Sequence, residues 1–551
     1  MDPLSTIAVQ AIPAQATPAQ PLTSGLEHYK GEWGEDQVTH LLKRTQFGAR
    51  KEDVAYFVHK NRKKTIKALL DISLEAPPPP INHYNDDKYT DPDVPLGATW
   101  VEAVKYDGMN NGRRKNSYKD WWTGLMLNQD RTIREKMVLF WHNHFVTETN
   151  TVDNARFCYQ YNVTLRKYAL GNFRDLVKAI TVEPAMLRYL NGYANTKKAP
   201  DENYGRELQE LFTIGKGPGS HYTEGDVKAA ARVLTGYRID YKTYTYHFDP
   251  KAHDEGDKTF SSFYGNTVIK GRSGPDGEQE LDDLVDMLFR EPEVSRFLCR
   301  KLYRFFVYHE IDDTTERNII EPLAKTFRSH HYEISPVLAE LFGSAHFFDA
   351  ANRGGMIKSP VDFSVGLCRE YGVTWPDENN FVDQYNLWEQ LRNQAASMSQ
   401  NIGDPPNVAG WQAYYQEPEF DKLWISSDTL PKRNVLTDRM VAYGFAKNTS
   451  KALIDVVAFA AQFPDPGDPN ALVDASVRHL LAVELSEEQK DFLKTTILLS
   501  GLTGEKADHY WTGAWENLQS KPDDKSNKAI VTNKLKAFYK YIMNMPEYQL
   551  C

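Results

Sequence analysis

Between Asp201 and Leu234, carboxylates and an arginine interrupt an otherwise apolar helical pattern. A charge on a face that packs must be paired or put to use, because leaving water uncompensated is costly. From Asn203 to Ile214 the apolar positions Tyr204, Leu208, Leu211 and Phe212 form one stripe. Asn203, Arg206, Glu207 and Glu210 form the polar stripe beside it. Two readings follow. Arg206 pairs with Glu210 four residues on, along a solvated helix face, or Glu207 and Glu210 form a carboxylate pair facing a cleft, suited to general acid–base work, with Arg206 holding substrate.

A second group lies in Glu135–Phe145, where Met137, Val138, Trp141 and Phe145 recur at helical spacing around His142, Asn143 and His144. Residues two apart project to roughly opposite sides of a helix. Both imidazoles therefore reach one ion only where the helix ends or distorts. The alternative is a pair of neutral core histidines bonded to backbone carbonyls.

A third group follows a strand-like alternation from Tyr237 to Phe248. Asp249, His253 and Asp254 fall in the loop beyond it. Brought together, His142, His144 and His253 would be metal ligands, Asp254 would orient them or join the catalytic set, and Glu207 or Glu210 would be the base. Neutral imidazoles with hard carboxylates suit zinc, iron or manganese. Asn143 is a candidate substrate contact. So is Trp411, in the rigid turn PPNVAGW, although packing explains an aromatic beside Gly410 equally well.

The elements that must position these groups read as a mainly α, multi-helix fold with a small β-hairpin or sheet insertion near 238–270. Thr223 and Asp226 form a capping-box variant for a helix whose apolar face is Val227, Ala230, Ala231 and Leu234, with Gly236 as its stop. Helical patterns run from about 34 to 71, and Pro77–Pro80 open a long irregular connection to about 99. Helices fill 118–236 and resume from 277. Residues 1–28, rich in Ala, Pro and Gln, read as a disordered leader. Residues 29–450 then form the main helical domain with a motif-bearing core at 118–270, and 451–551 a helical subdomain packed on it. Asn172 reads as a helix cap, and Lys358 as a solvated side chain or an anion contact at a helix start.

At 551 residues, 41% of them hydrophobic, the chain can bury a sizeable core. A net charge of −10 lacks the basic footprint that nucleic-acid binding needs. No apolar run approaches the roughly 20 residues of a membrane span. Cys158, Cys299, Cys368 and Cys551 have neither metal-type nor redox-type spacing, so buried thiols are expected. The start MDPLSTIAVQ has no basic segment followed by an apolar core, so no signal peptide is visible, and the compartment stays open between cytoplasm and periplasm.

The blocks KMVLFWHNHFVT, GNFRDLVKAITVEPAMLRYLNG, NYGRELQELFTIG, YTEGDVKAAARVLTGY, HDEGDKTF, RKLYRFFV, MIKSPVDF and PPNVAGW occur in the order seen in the bacterial family called domain of unknown function 1800, which the chain resembles over about 35–435. That resemblance implies a mainly helical fold in a bacterial, Bacteroidetes-like member. It also implies a possible partner in the sulfatase-like family called domain of unknown function 1501, and brings no established reaction. Gly205 stands where relatives usually carry Ala. The expectation is a metal-dependent hydrolase or lyase acting on a carbohydrate or its ester. The alternative is a non-catalytic scaffold for the sulfatase-like neighbour.

Overall fold

A computed structural model describes residues 24–72, 75–103, 108–502 and 506–551. It is mainly α-helical, with three small two-stranded antiparallel sheets among the described residues. No helix of the described residues is long and apolar enough to cross a membrane.

The helix Glu224–Val233 starts as its sequence requires. Asp226 N–H donates to Thr223 Oγ1 at 3.4 Å, Thr223 N–H donates to Asp226 Oδ2 at 2.7 Å, and Gly236 leaves the helix at φ +99°. It crosses the helix Glu202–Glu207 closely. A Cβ on Gly205 would lie 3.1 Å from Ala231 N and 3.2 Å from Val227 O, so the glycine sets how near the two backbones come.

The expected single helix from Asn203 to Ile214 is instead two pieces. The α-helix Glu202–Glu207 passes into a π-helix, Leu208–Thr213. Ile214 N–H and Gly215 N–H both donate to Gln209 O, at 2.9 and 3.0 Å, which widens the turn and frees carbonyls for other partners.

The strand region resolves into two separate sheets. Tyr237–Asp240 pairs with Thr245–Phe248, and Lys258–Thr259 pairs with Val268–Ile269. A third hairpin, Phe445–Lys447 with Ser450–Ala452, lies outside the expected insertion. Of the expected leader, residues 24–28 are tied down: Ser24 Oγ donates to Asp349 Oδ2 at 2.7 Å and Ala345 N–H to Glu27 O at 2.7 Å. The earlier residues lie outside the described ones. The helix Lys525–Asn544 packs on Thr429–Ala442, Val456–Ala460 and Ala507–Ser520.

Many charges inside the fold come paired, as their desolvation demands. Lys43 meets Glu370 at 2.6 Å, Arg392 meets Asp120 at 2.7 Å, and Arg166 forms a two-pronged bond with Glu135. Asn172 caps the helix Phe173–Thr181 as expected. Lys358 is not solvated. It is buried with Nζ 4.0 Å from the Tyr548 ring centre, and burial lowers its amine to about 8. All four cysteines are buried free thiols.

Candidate functional site

The helix Arg134–His144 ends at its second histidine, and the two imidazoles enter different surroundings. His142 lies among the rings of Trp122, Tyr161 and Trp411. Neither of its nitrogens has a hydrogen-bond partner among the described residues, and burial lowers its pKa to about 3. His144 donates from Nε2 to Phe212 O at 3.0 Å, a carbonyl that the π-turn exposes. Burial, then the nearby Lys301 charge, hold its pKa well below the usual range, so the ring is neutral.

His253 is fixed by Thr235 O, 2.9 Å from Nδ1, and by Glu280 Oε1, 3.2 Å from Nε2. Asp254 does not orient it. The Asp254 carboxylate takes a fork from Arg232, at 2.8 and 2.9 Å, which together with the Gly256 N–H holds it below the ordinary range. The structure does not bring His142, His144 and His253 together: each imidazole is packed into its own setting. Among the described residues no three His, Cys, Asp or Glu side chains are grouped to hold an ion.

Asn143 and Trp411 do come together, though in the core. Asn143 Oδ1 accepts the Trp411 N–H at 2.9 Å, and Trp411 is 1% exposed. This is packing between the helix and the PPNVAGW turn, not an open contact for substrate.

The carboxylates behave differently. Arg206 pairs with Glu224 at 2.6 Å and Glu202 at 3.2 Å, not with Glu210, and Glu210 takes Lys216 instead. Both nearby cations are thus occupied, and Glu207 is left without a hydrogen bond or ion pair among the described residues. Its Oε2 is buried. Burial, then repulsion from Glu210, raise its pKa, against smaller pulls from Lys216 and Arg206.

Other perturbed groups are ones that the sequence did not single out, and one of them, Tyr189, is coupled in charge to Glu207. Tyr189, at the end of the helix Pro184–Tyr189, donates its hydroxyl to Glu148 Oε1 at 3.1 Å. Burial, then the carboxylates of Glu148 and Glu207, raise that phenol, so all three groups share one electrostatic neighbourhood. Glu183 opens the same helix and accepts from Thr164 Oγ1 at 2.8 Å, with burial raising it to about 7. On the other side of the π-turn, Lys301 approaches Leu211 O at 3.5 Å and has no carboxylate partner among the described residues. Burial, then Arg304, lower it to about 7. The signals were faint: Glu148 lies four residues past His144, Glu183 precedes Pro184, and Lys301 sits in RKLYRFFV.

A family profile described as protein of unknown function, DUF1800, matches residues 40–550. No curated protein and no solved structure matches.

Proposed function

The chain belongs to the DUF1800 family, and from that premise we propose that it is a hydrolase or lyase whose acid–base group is Glu207. One observation carries the reading: a partly buried carboxyl, raised in pKa, keeps no partner while each cation near it is bound elsewhere. A structural carboxylate in that position would take Arg206 or Lys216. A base poised to receive a proton gains from the opposite arrangement.

As carboxylate, Glu207 takes a proton from water for hydrolysis, or from a carbon acid for elimination. Glu210, three residues away, raises the Glu207 pKa and so strengthens it as a base. The proton for the leaving group must come from another segment, since neighbours on one helix stand too close to straddle the bond. Tyr189, on another segment and held against Glu148, is a donor coupled in charge to Glu207. Among the described residues the donor set does not fit a three-ligand zinc, iron or manganese centre.

The proposed substrate class is a carbohydrate or its ester. The test is release of product from a panel of glycosides, acetylated sugars and esterified uronides, followed by mass spectrometry. Wild type is expected to turn over at least one, and Glu207→Gln to lose about 100-fold or more at unchanged melting temperature. Undiminished turnover in Glu207→Gln overturns the assignment.

A second reading, a scaffold for a sulfatase-like partner, is favoured by the closed settings of His142, His144 and His253. Stoichiometric binding of such a partner by wild type and Glu207→Gln alike, with no turnover by either, would select it.

A further inference from the structure

A groove of about 650 Å³ opens where the helix Phe173–Thr181, the hairpin of Tyr237–Asp240 with Thr245–Phe248, and the 3-10 turn Gly274–Gln279 meet. That is within the roughly 300–1,000 Å³ of small-molecule sites. Glu207 is not in its lining. Tyr246 enters from the hairpin, on the same face as Tyr237 and Phe248, because Tyr246 opposes Ile239 two positions on from the Tyr237–Phe248 pair. Tyr237 is 2% exposed and Tyr246 37%, so Tyr246 is the ring that a ligand can reach. Tyr168 also lines the groove, but the Lys167 amine already stands 5.1 Å from its ring centre.

The open ring is held rigidly. Tyr246 donates its hydroxyl to Glu278 Oε1 and Tyr237 donates to Glu278 O, each at 3.2 Å. The turn carrying Glu278 is fixed by buried groups at the start of the helix Glu280–Arg290. Lys258 Nζ meets Glu280 Oε2 at 2.5 Å, the Arg272 N–H donates to Glu280 Oε1 at 2.7 Å, and a Cβ on Gly277 would fall 2.6 Å from His253 Cδ2. The sealed His253, Lys258 and Glu280 thus back a preformed surface.

The charge on that surface has one sign. Asp175, Asp276 and Glu278 line it, and none has an ion-pair partner among the described residues. Lys178 is in the lining too, but it pairs with Asp282. Burial, then the Glu278 and Asp282 charges, raise the Tyr246 phenol, which puts the ring in a negative field.

We propose that this groove binds an amino-sugar chain, with a sugar face on the Tyr246 ring and protonated amines towards Asp175, Asp276 and Glu278. An exposed aromatic face packs against apolar surface and attracts an ammonium group. Unmatched carboxylates favour a cationic chain and repel uronate or sulfated ones. The choice of a sugar rests on the carbohydrate class proposed for the Glu207 reaction, whereas the choice of a cation rests on the groove alone.

The test is calorimetric titration of the whole protein at mildly acid pH, where sugar amines are protonated. Hexamers of glucosamine, N-acetylglucosamine and galacturonate are compared with spermidine. The glucosamine hexamer is expected to bind at least about tenfold more tightly than the other three, and more weakly as salt screens the carboxylates. Tyr246→Ala is expected to weaken it about tenfold or more, and Asp276→Asn with Glu278→Gln by a similar factor. All three side chains are exposed, so unchanged melting temperatures should accompany the losses. Glu207→Gln should bind as wild type does. Such binding with no turnover by wild type would sink the role of Glu207 and leave the groove standing. Equal affinity for the acetylated or the galacturonate hexamer, spermidine as tight as the sugar, undiminished binding by Tyr246→Ala, or no binding of the glucosamine hexamer overturns the proposal.

Discussion

Tyr189 donates its hydroxyl to Glu148 at 3.1 Å, joining the end of one short helix to the residue that opens another. Burial, then the Glu148 charge and this bond, keep the phenol protonated, so a proton donor and a free carboxyl stand in one neighbourhood. Neither Glu148 nor Glu207 is near Tyr189 in sequence.

Glu183 makes stability depend on pH in a fixed direction. Burial raises its folded pKa from 4.5 to about 7, so the folded state binds more protons than the unfolded state between those values. Stability is highest below about 4.5 on this account and is lost as pH rises towards 7. Glu183→Gln is expected to remove a slope worth about 1–3 kcal/mol across that window, read from urea unfolding at a series of pH values. An unchanged slope would show that the carboxyl is ionised in the fold.

Lys301 acts in the opposite sense. Its folded pKa falls from 10.5 to about 7, so the cost of holding a charged amine is fully present below 7 and relieved as pH rises towards 10.5. Lys301→Met is expected to gain about 1–2 kcal/mol over wild type at pH 6, with the gap narrowing steadily towards pH 10. Paired thermal melts across that range measure it. A gap independent of pH would mean that the amine keeps its ordinary pKa.

Asn143 and Gly410 form one joint. Removing the acceptor in Asn143→Ala leaves the buried Trp411 N–H without a partner and is expected to cost about 1–3 kcal/mol. Gly410→Ala is expected to cost more, because its Cβ would fall 2.3 Å from Asn143 Oδ1 on a backbone at φ +100°. Combined, the two changes should cost less than their sum, since the first removes the nearer of the two Asn143 oxygens that the second strikes. Strict additivity in the double-mutant cycle would contradict the contact.

Much of the fold was legible because it follows local rules. Apolar spacing gave the helices Arg134–His144 and Glu224–Val233, and alternation gave the hairpin Tyr237–Asp240 with Thr245–Phe248. The π-turn was not legible, since Leu208, Leu211 and Phe212 keep an unbroken helical stripe while the backbone beneath them changes its bonding. The histidines misled for a related reason. Residue type is visible in a sequence, but whether His144 meets an ion or Phe212 O is decided by tertiary packing.

Glu207 was singled out from its neighbours, whereas its freedom was not. That freedom arises because Arg206 reaches Glu224, eighteen positions away, and because Lys216 settles on Glu210. Gly205 is explained only by the crossing helix, whose backbone a Cβ would press at 3.1 Å.

The most direct test of Glu207 as the base is the pH dependence of turnover, in wild type, Glu207→Gln and Glu210→Gln, on whichever substrate the panel yields. Wild type should show an ascending limb governed by one group titrating above the usual glutamate range. Glu210→Gln should move that limb to lower pH by removing the repulsion, and Glu207→Gln should abolish turnover. A Glu207→Gln enzyme with wild-type rate and an unmoved limb would contradict the account.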